Sequence, residues 1–176
     1  RANLYEVRGG YVLADYGHNA DAFTAIARLT AQLTGYHVTG VIDMPGDRAD
    51  AVLRMGARAA ARAFDRVIVH KPRDARGRVP GAVAQLICEE LSRHAPQVQC
   101  VQAEDERGAM DLALRDLAPG RFAVLFYETW PTVEALLASH GAVPASRVPL
   151  PEGGTQDSVQ SAHGLAHASA RASAGA

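Results

Sequence analysis

The sequence predicts an α/β fold: a Rossmann-like three-layer αβα sandwich whose mostly parallel sheet has about six strands and a leading β-hairpin. Short β-rich runs alternate with helix-length segments along the chain, as in successive βαβ units. The run Arg66 to His70 is nearly all Val and Ile between its polar ends, which is typical of a strand covered on both faces. Right-handed crossovers between such strands place helices on both sides of the sheet.

The strands are predicted from their apolar, β-branched content and from the turns that bound them. Gly9 and Gly10 separate the first two runs and indicate a hairpin. Later runs each follow a helical segment, so they are expected to pair in parallel. The predicted strands are 4–7, 11–14, 37–43, 66–70, 98–102 and 122–126.

The helices are predicted from apolar residues that recur at helical spacing. Phe23, Ile26 and Leu33 form such a face in the first helix, and an Ala-rich stretch with Leu53 forms the second. The predicted helices are 21–33, 49–64, 81–94, 105–117 and 132–139. We expect one domain over residues 1–150. Residues 151–176 are rich in Ser, Ala and Gly, have hardly any large apolar side chain, and are predicted to be a disordered tail.

The composition argues against several partner classes. The chain has 176 residues with 18 Lys+Arg and 19 Asp+Glu, a formal charge of −1, so neither a nucleic acid nor a membrane surface is an expected partner. No apolar run approaches the roughly 20 residues that span a bilayer. The expected location is cytoplasmic, with Cys88 and Cys100 as free thiols in a reducing compartment. The start of the sequence reads as a cut from a longer polypeptide.

The candidate site lies where the strands end, because ligands of open α/β sheets bind beyond the carboxyl ends of the strands. Four predicted strands run into polar loops, 15–21, 43–48, 71–78 and 127–130. By contrast, the loops 34–36 and 118–120 at the other ends of the strands carry no charged side chain. In the first loop, Asp15 could accept hydrogen bonds from ribose hydroxyls, and His18 and Asn19 precede a helix N-terminus, which favours anions. Alternatively, Asn19 or Asp21 only caps the helix and His18 is a surface residue.

The next two polar loops carry the candidate anion-binding side chains. Arg48 is predicted in the first turn of the second helix behind Asp47 as N-cap, where a cation is disfavoured unless it has an anionic partner. That partner is a ligand or simply Asp47 or Asp50. The third loop holds four cations and one acid in eight residues, which indicates either an anion clamp or a solvated loop. These residues are Lys71, Arg73, Asp74, Arg76 and Arg78.

Other kinds of site find no support in the sequence. The histidines are scattered without ligand spacing, so no metal site is predicted. Neither a Walker phosphate loop nor a G-x-G-x-x-G motif is present. No residue is assigned a catalytic role.

Several motifs resemble the C-terminal domain of the Mur ligase superfamily. Asp15-Tyr16-Gly17-His18-Asn19-Ala20-Asp21 is similar to its D-Y-A-H-N-P-D stretch, and Gly46-Asp47-Arg48 to its G-D-R. Within the superfamily, the stretches 41–48 and 64–69 and the D-x-R-G-R motif at 74–78 look most like the cyanophycin synthetases. Two departures stand out: Ala20 replaces a proline, and the D-N-P-R signature of diaminopimelate-adding enzymes is reduced to Lys71-Pro72-Arg73.

The resemblance implies an ATP-dependent amino-acid ligase that forms an amide bond through an acyl-phosphate. ATP and Mg²⁺ would be held mainly by an upstream central ATPase domain of the same polypeptide, and this domain alone would be inactive. Asp15, His18 and Asn19 would contact the nucleotide, while Arg48 and the loop after the third strand would bind the incoming amino acid.

In cyanophycin synthetases this part attaches arginine to aspartate side chains of an acidic peptide acceptor. Arg73 or Arg76 would then hold the α-carboxylate, and Asp74 and Glu128 the guanidinium of arginine. The full-length enzyme is expected to be a homo-oligomer. The alternatives are another Mur-type ligase, of peptidoglycan or folylpolyglutamate metabolism, and a non-catalytic Rossmann-like binding module.

Overall fold

The computed structural model of the chain describes residues 3–17 and 19–149. These residues form a three-layer αβα sandwich in which five helices cover a mixed sheet of seven strands. The predicted fold class is therefore confirmed. His18 and the tail predicted over residues 151–176 lie outside the described residues. Within the described part, no helix is long and apolar enough to pass through a membrane.

The sheet is parallel at its centre and antiparallel at one edge. Its strands stand in the order β5-β4-β3-β6-β2-β1-β7. Strands β2 to β6 run parallel, β1 pairs antiparallel with β2, and β7 pairs antiparallel with β1 at the edge of the sheet. The strands are β1 (Asn3–Val7), β2 (Gly10–Asp15), β3 (His37–Ile42), β4 (Arg66–His70), β5 (Gln99–Ala103), β6 (Arg121–Phe126) and β7 (Val143–Pro144). The sequence did not predict β7, because two residues carry no periodic pattern.

The helices divide between the two faces of the sheet. Helices α1 to α3 share one core with residues of β3 and β4, whereas α4 and α5 pack on the other face. Their bounds are α1 (Ala20–Thr30), α2 (Asp50–Ala61), α3 (Ala82–His94), α4 (Glu106–Arg115) and α5 (Trp130–Ser139). Helix α5 begins two residues earlier than predicted, with Pro131 in its first turn, where a missing N–H costs nothing.

The direction in which the chain crosses the sheet creates a switch point between β3 and β6. The chain moves outward from β2 to β5 with α1, α2 and α3 on one face, and α4 then carries it back to β6 on the other face. Right-handed crossovers require this change of face when the direction of travel reverses. The loops that follow β3 and β6, which are neighbours in the sheet, therefore leave toward opposite faces and open a crevice.

The second helix starts later than the sequence predicted. Helix α2 begins at Asp50, its N-cap is Ala49, and no side chain caps it. The predictions that Asp47 caps this helix and that Arg48 lies in its first turn were therefore wrong. Both residues belong to the loop before the helix, where the dipole argument for an anionic partner of Arg48 no longer applies.

The expectation of free thiols was also wrong. Cys88 in α3 and Cys100 in β5 form a disulfide, with Cα atoms 5.7 Å apart. A short connection turns the chain from the end of α3 back along β5, which brings the two positions within bridging distance. The sequence alone shows only that 12 positions separate them.

The two ends of the described chain lie beside opposite ends of the strands. Asn3 pairs with Ala14 in the antiparallel β1–β2 ladder, so β1 begins beside the carboxyl end of β2. At the other end, the hydroxyl of Tyr36, directly before β3, donates to the main-chain carbonyl of Pro149 at 2.7 Å. The chain therefore enters beside the carboxyl ends of the strands and leaves beside their amino ends.

Candidate functional site

A cleft of about 350 Å³ lies at the switch point between β3 and β6. Four strands contribute to it through the loops at their carboxyl ends, as expected for this topology. We call it the switch-point cleft. Its lining residues are Tyr16, Asp43, Pro45, Arg48, Pro72, Arg73, Asp74, Arg76, Tyr127 and Glu128.

All five side chains that the sequence predicted as substrate-binding line this one cleft. They are Arg48, Arg73, Asp74, Arg76 and Glu128. Together with the buried Asp43, they give the cleft three cationic and three anionic side chains. A cleft with both signs of charge suits a ligand that itself carries both.

The three arginines differ in how they are paired. The guanidinium of Arg76 lies 3.2 Å from the Asp47 carboxylate. The guanidinium of Arg48 is farther from the same carboxylate, at 3.9 Å, so its ion pair is weaker. Arg73 makes no ion pair with any residue in the ranges 3–17 and 19–149. Arg73 is thus the cation of the cleft with the least competition for an anionic ligand.

The carboxylates of the cleft sit on loops that are fixed by local hydrogen bonds. The side chain of Asp74 accepts a hydrogen bond from the Arg76 N–H at 2.8 Å, which tightens the turn after β4. The main-chain N–H of Glu128 donates to the carboxylate of Glu106 in the first turn of α4 at 2.8 Å. The loop after β6 is therefore held against α4.

Two of the residues predicted to contact a nucleotide stand at the two ends of the connection between β2 and α1: Asp15 ends β2, and Asn19 precedes α1. The Asp15 carboxylate accepts the Gly17 N–H at 2.9 Å, and the Tyr127 N–H donates to the Asp15 carbonyl at 3.1 Å. Asn19 caps α1 by accepting the Ala22 N–H at 2.9 Å, as the alternative to a ligand role predicted. His18 lies outside the described residues, so its predicted role is not tested.

Three aromatic rings join the loops after β2 and β6. Tyr127 packs edge-to-face against Tyr16 at 5.8 Å and against Trp130 at 5.5 Å between ring centroids. Burial, and then the negative charge of Asp15, raises the pKa of Tyr127, so its hydroxyl stays a hydrogen-bond donor near neutral pH. Sequence reasoning left Tyr16, Asp43 and Tyr127 unassigned, although each directly follows a strand.

A second cleft of about 430 Å³, which we call the outer cleft, shares Pro72, Arg73 and Glu128 with the first. The loop after β5 adds three consecutive acids, Glu104, Asp105 and Glu106, to its wall. Sequence reasoning considered the exits of four strands and passed over this one. A run of three acids directly after a strand was the signal that could have found it.

The described ranges bring together no group of three or more His, Cys, Asp or Glu side chains placed to hold a metal ion. The carboxylates of the two clefts are instead interleaved with arginines and Lys71. Glu104, for example, pairs with the Lys71 ammonium at 2.6 Å. The site is thus built from ion pairs and hydrogen bonds.

Comparison with known proteins gives consistent matches. A family model described as "Mur ligase, glutamate ligase domain" matches residues 1–126. The cyanophycin synthetase of Geminocystis herdmanii is 33% identical over 129 residues, which are 73% of this chain and 15% of that protein. The cyanophycin synthetase of Crocosphaera subtropica is 32% identical over the same share of each. The chain thus spans about 15% of the length of the curated relatives it matches.

Solved structures share the fold at lower identity. A UDP-N-acetylmuramoyl-L-alanyl-D-glutamate–2,6-diaminopimelate ligase aligns with a TM-score of 0.63 and 14% identity over 80% of this chain and 32% of the other. The folylpolyglutamate synthase of Mycobacterium tuberculosis, complexed with ADP, gives a TM-score of 0.50 and 23% identity over 77% and 31%. At such identities the likeness concerns the fold alone.

Proposed function

The chain belongs to the family of Mur ligase glutamate ligase domains, and on that premise we propose that it binds the incoming amino acid in an ATP-dependent ligase of the cyanophycin synthetase type. In that role it presents arginine for attachment to an aspartate side chain of an acidic peptide acceptor. The 31–33% identity to cyanophycin synthetases supports this choice within the family. The chain is one domain of such an enzyme and needs the others for turnover.

The observation that carries the proposal is the balance of charge in the switch-point cleft. Three arginines and three carboxylates line one space of about 350 Å³. A free amino acid carries an ammonium and a carboxylate, and arginine adds a guanidinium. A nucleic acid or a phosphate alone would call for one sign of charge only.

Arg73 is our candidate for the α-carboxylate of the amino acid. A planar guanidinium binds a carboxylate through two parallel hydrogen bonds. Arg76 is already engaged by Asp47 at 3.2 Å, whereas Arg73 has no ion pair in the described ranges. Arg48, whose contact with Asp47 is loose at 3.9 Å, is the second candidate.

Asp74 and Glu128 are our candidates for the cationic side chain of the substrate. They come from the loops after β4 and β6, which both line the switch-point cleft. The hydrogen bond from the Glu128 N–H to Glu106 fixes the main chain from which the Glu128 carboxylate extends. A guanidinium between two carboxylates would form charge-assisted hydrogen bonds with each.

The nucleotide contacts that we propose for this chain involve only part of a nucleotide. Asp15 and Asn19 use one oxygen each for local main-chain hydrogen bonds and retain further hydrogen-bonding capacity, which suits a sugar or a base. The sequence has no Walker loop for the phosphates, and no described residues form a metal-binding group. As the family resemblance implies, we assign the phosphates and Mg²⁺ to a preceding domain, where ATP would supply the phosphoryl group that activates the acceptor carboxylate.

The geometry of the first strand supports this division of labour. Because β1 begins beside the carboxyl end of β2, a domain joined ahead of it meets the edge that carries both clefts. The amino acid held by this chain would then face the activated carboxylate across the domain boundary. The role of the chain's own residues is to bind and orient the amine and to exclude water.

The test is amino-acid-dependent phosphate release by the polypeptide that carries this domain, with ATP and an aspartate-rich peptide. We expect release with arginine and far less with diaminopimelate or glutamate. Release only with diaminopimelate or glutamate would identify another Mur-type ligase. No release with any amino acid would refute the proposal and leave a non-catalytic binding module as the alternative. ATP turnover by the 176-residue chain alone would also refute the proposal.

One substitution, with a matched control, connects the activity to the cleft. Glu128→Gln removes a charged acceptor and is expected to raise the KM for arginine about 10- to 100-fold, as one charge-assisted hydrogen bond is worth about 1.5–3 kcal/mol. Glu134→Gln, an exposed change on α5 away from both clefts, is the matched control. Equal KM values in the two variants would exclude Glu128 from the substrate site.

A further inference from the structure

One side chain of the loop after β4 holds the loop after β3 in place. Arg78 donates from Nε to the Gly46 carbonyl and from Nη2 to the Arg48 carbonyl, both at 2.6 Å. Its Nη1 lies 2.8 Å from the Asp50 carboxylate in the first turn of α2. Only 26% of the Arg78 side chain is exposed, against 58% for Arg48, so the two arginines of these loops have different environments.

The two loops also touch main chain to main chain. A Cβ at position 46 would lie 2.3 Å from the Ala75 carbonyl oxygen, which is closer than any real contact of that kind. The neighbour is backbone and cannot rotate away, so any residue other than glycine would push the loops apart. The close approach is what brings the Gly46 carbonyl within reach of Arg78.

A tight turn aims Arg78 at its partners. The Asp74 carboxylate accepts the Arg76 N–H at 2.8 Å, and the Arg78 N–H donates to the Ala75 carbonyl at 3.0 Å. Arg76 and Gly77 both have positive φ, 47° and 83°, which reverses the chain over two residues. The turn places Arg76 and Arg78 toward the same loop, Arg76 on Asp47 and Arg78 on the main chain.

We propose that Arg78 is a positioning residue for Arg48. Its three contacts fix Gly46, the Arg48 carbonyl and Asp50, and thus the main chain on both sides of Arg48, while the Arg48 guanidinium, paired only loosely with Asp47, lines the cleft. The functional part of the inference rests on the proposed role of Arg48 in binding the amino acid. The loops that carry Arg48 and Arg73 are then expected to move together, because Arg78 joins them.

The first test measures the loop itself and does not depend on the proposed function. Backbone ¹⁵N order parameters are compared in the 176-residue chain and in Arg78→Lys, with Arg28→Lys on the exposed surface of α1 as matched control. A lysine can pair with Asp50 but cannot fork to two carbonyls. We expect order parameters at residues 47–49 to fall from about 0.85 to below about 0.6 in Arg78→Lys only. Unchanged values would overturn the inference.

A milder variant guards against loss of folding. Asp50→Asn removes the ionic partner of Arg78 and keeps both carbonyl contacts. We expect a smaller fall in the same order parameters and a thermal midpoint close to that of the parent chain. If Arg78→Lys does not fold and Asp50→Asn leaves residues 47–49 as rigid as before, Arg78 does not position this loop.

The second test separates positioning from general stability in the polypeptide that carries the domain. Arg78→Lys is expected to raise the KM for the amino acid about 10-fold and to change the KM for ATP less than twofold. A purely structural role would lower the thermal midpoint and change both KM values together, which would overturn the proposal. Absence of amino-acid-dependent turnover in the wild type would instead refute the proposed function, and the loop measurement would decide the inference alone.

Discussion

Two clusters of ion pairs each contain one carboxylate shared by two arginines, but they have different roles. In the helix-interface cluster, Glu90 of α3 is shared by Arg54 and Arg58 of α2, at 2.9 and 2.6 Å, and by His94 at 3.3 Å. In the rim cluster, Asp47 is shared by Arg76 at 3.2 Å and Arg48 at 3.9 Å. The Glu90 side chain is 1% exposed and that of Asp47 48%.

The difference lies in what each carboxylate would lose without its arginines. A buried carboxylate depends on its partners, since its water has been removed and an unpaired charge there is costly. An exposed pair contributes little, because water can replace either partner. The helix-interface cluster therefore joins α2 to α3, whereas the rim cluster can release an arginine to a ligand at small cost.

The pKa of Glu90 reflects the same balance. Burial alone would raise it, but hydrogen bonds from Arg58 and Arg54 and the charges of Arg58 and His94 outweigh burial and lower the pKa below its ordinary value of 4.5. Glu90 is thus ionised in the folded chain throughout the neutral range. The comparison makes four predictions, taken from the largest expected effect to the smallest.

Glu90→Gln is expected to lower the free energy of unfolding by about 3 kcal/mol, because the amide removes the negative charge from a buried site and keeps only one acceptor oxygen for the two arginines. Urea denaturation of the 176-residue chain measures it. Glu89→Gln is the matched control, since Glu89 is exposed and contacts Gln85 of its own helix. Equal stability of the two variants would show that burial of Glu90 does not decide the worth of its ion pairs.

Removal of the disulfide tests whether the α3 side of the molecule depends on more than Glu90. Cys88→Ser with Cys100→Ser is expected to cost about 2 kcal/mol, since a short closed loop constrains the unfolded chain only moderately. A reductant titration of the parent chain, followed by its urea midpoint, gives the same quantity independently. No change on reduction would mean that packing alone joins α3 to β5.

Acidification should reduce the gap between the parent chain and Glu90→Gln. A lowered folded pKa contributes stability that is fully present above the unfolded value near 4.5 and is lost as the pH falls through the folded pKa. The difference in unfolding free energy should be constant at about pH 6–7 and shrink below about pH 4.5. Asp111, whose pKa is lowered chiefly by a hydrogen bond with His140, changes in the same direction but is present in both chains.

Asp47→Asn is expected to change the unfolding free energy by less than about 0.5 kcal/mol, as exposed ion pairs contribute little. The same urea titration measures it beside Glu90→Gln. A loss comparable to that of the buried variant would remove the contrast between the clusters. It would also mean that the rim arginines are not available to a ligand at small cost.

Much of the candidate site could be predicted because strand ends are visible in a sequence. Arg48, Arg73, Asp74, Arg76 and Glu128 each follow an apolar run, and parallel pairing then brings such residues to one edge. The five helices and the first six strands were predicted for the same reason, since periodicity is a local property.

The remaining features depend on contacts between distant segments. The hydrogen bonds of Arg78 to two carbonyls some 30 residues away leave no trace in its own neighbourhood. The pairing of Cys88 with Cys100 is likewise invisible in the local sequence, and the composition argued against it. The late start of α2 was missed because Gly46-Asp47-Arg48 resembles a capped helix start, whereas these residues are held by Arg78 in a loop.

The described chain begins beside the strand ends that carry the clefts, and Pro149 lies beside Tyr36 at the opposite ends of the strands. This difference decides where a group can be attached without blocking the clefts. A purification handle, fluorophore or surface linker joined directly to residue 149 would begin beside the amino ends of the strands, away from both clefts. The same group placed ahead of β1 would crowd Asp15 and its neighbours. Immobilised or labelled forms should therefore carry the added group at residue 149 and not ahead of β1.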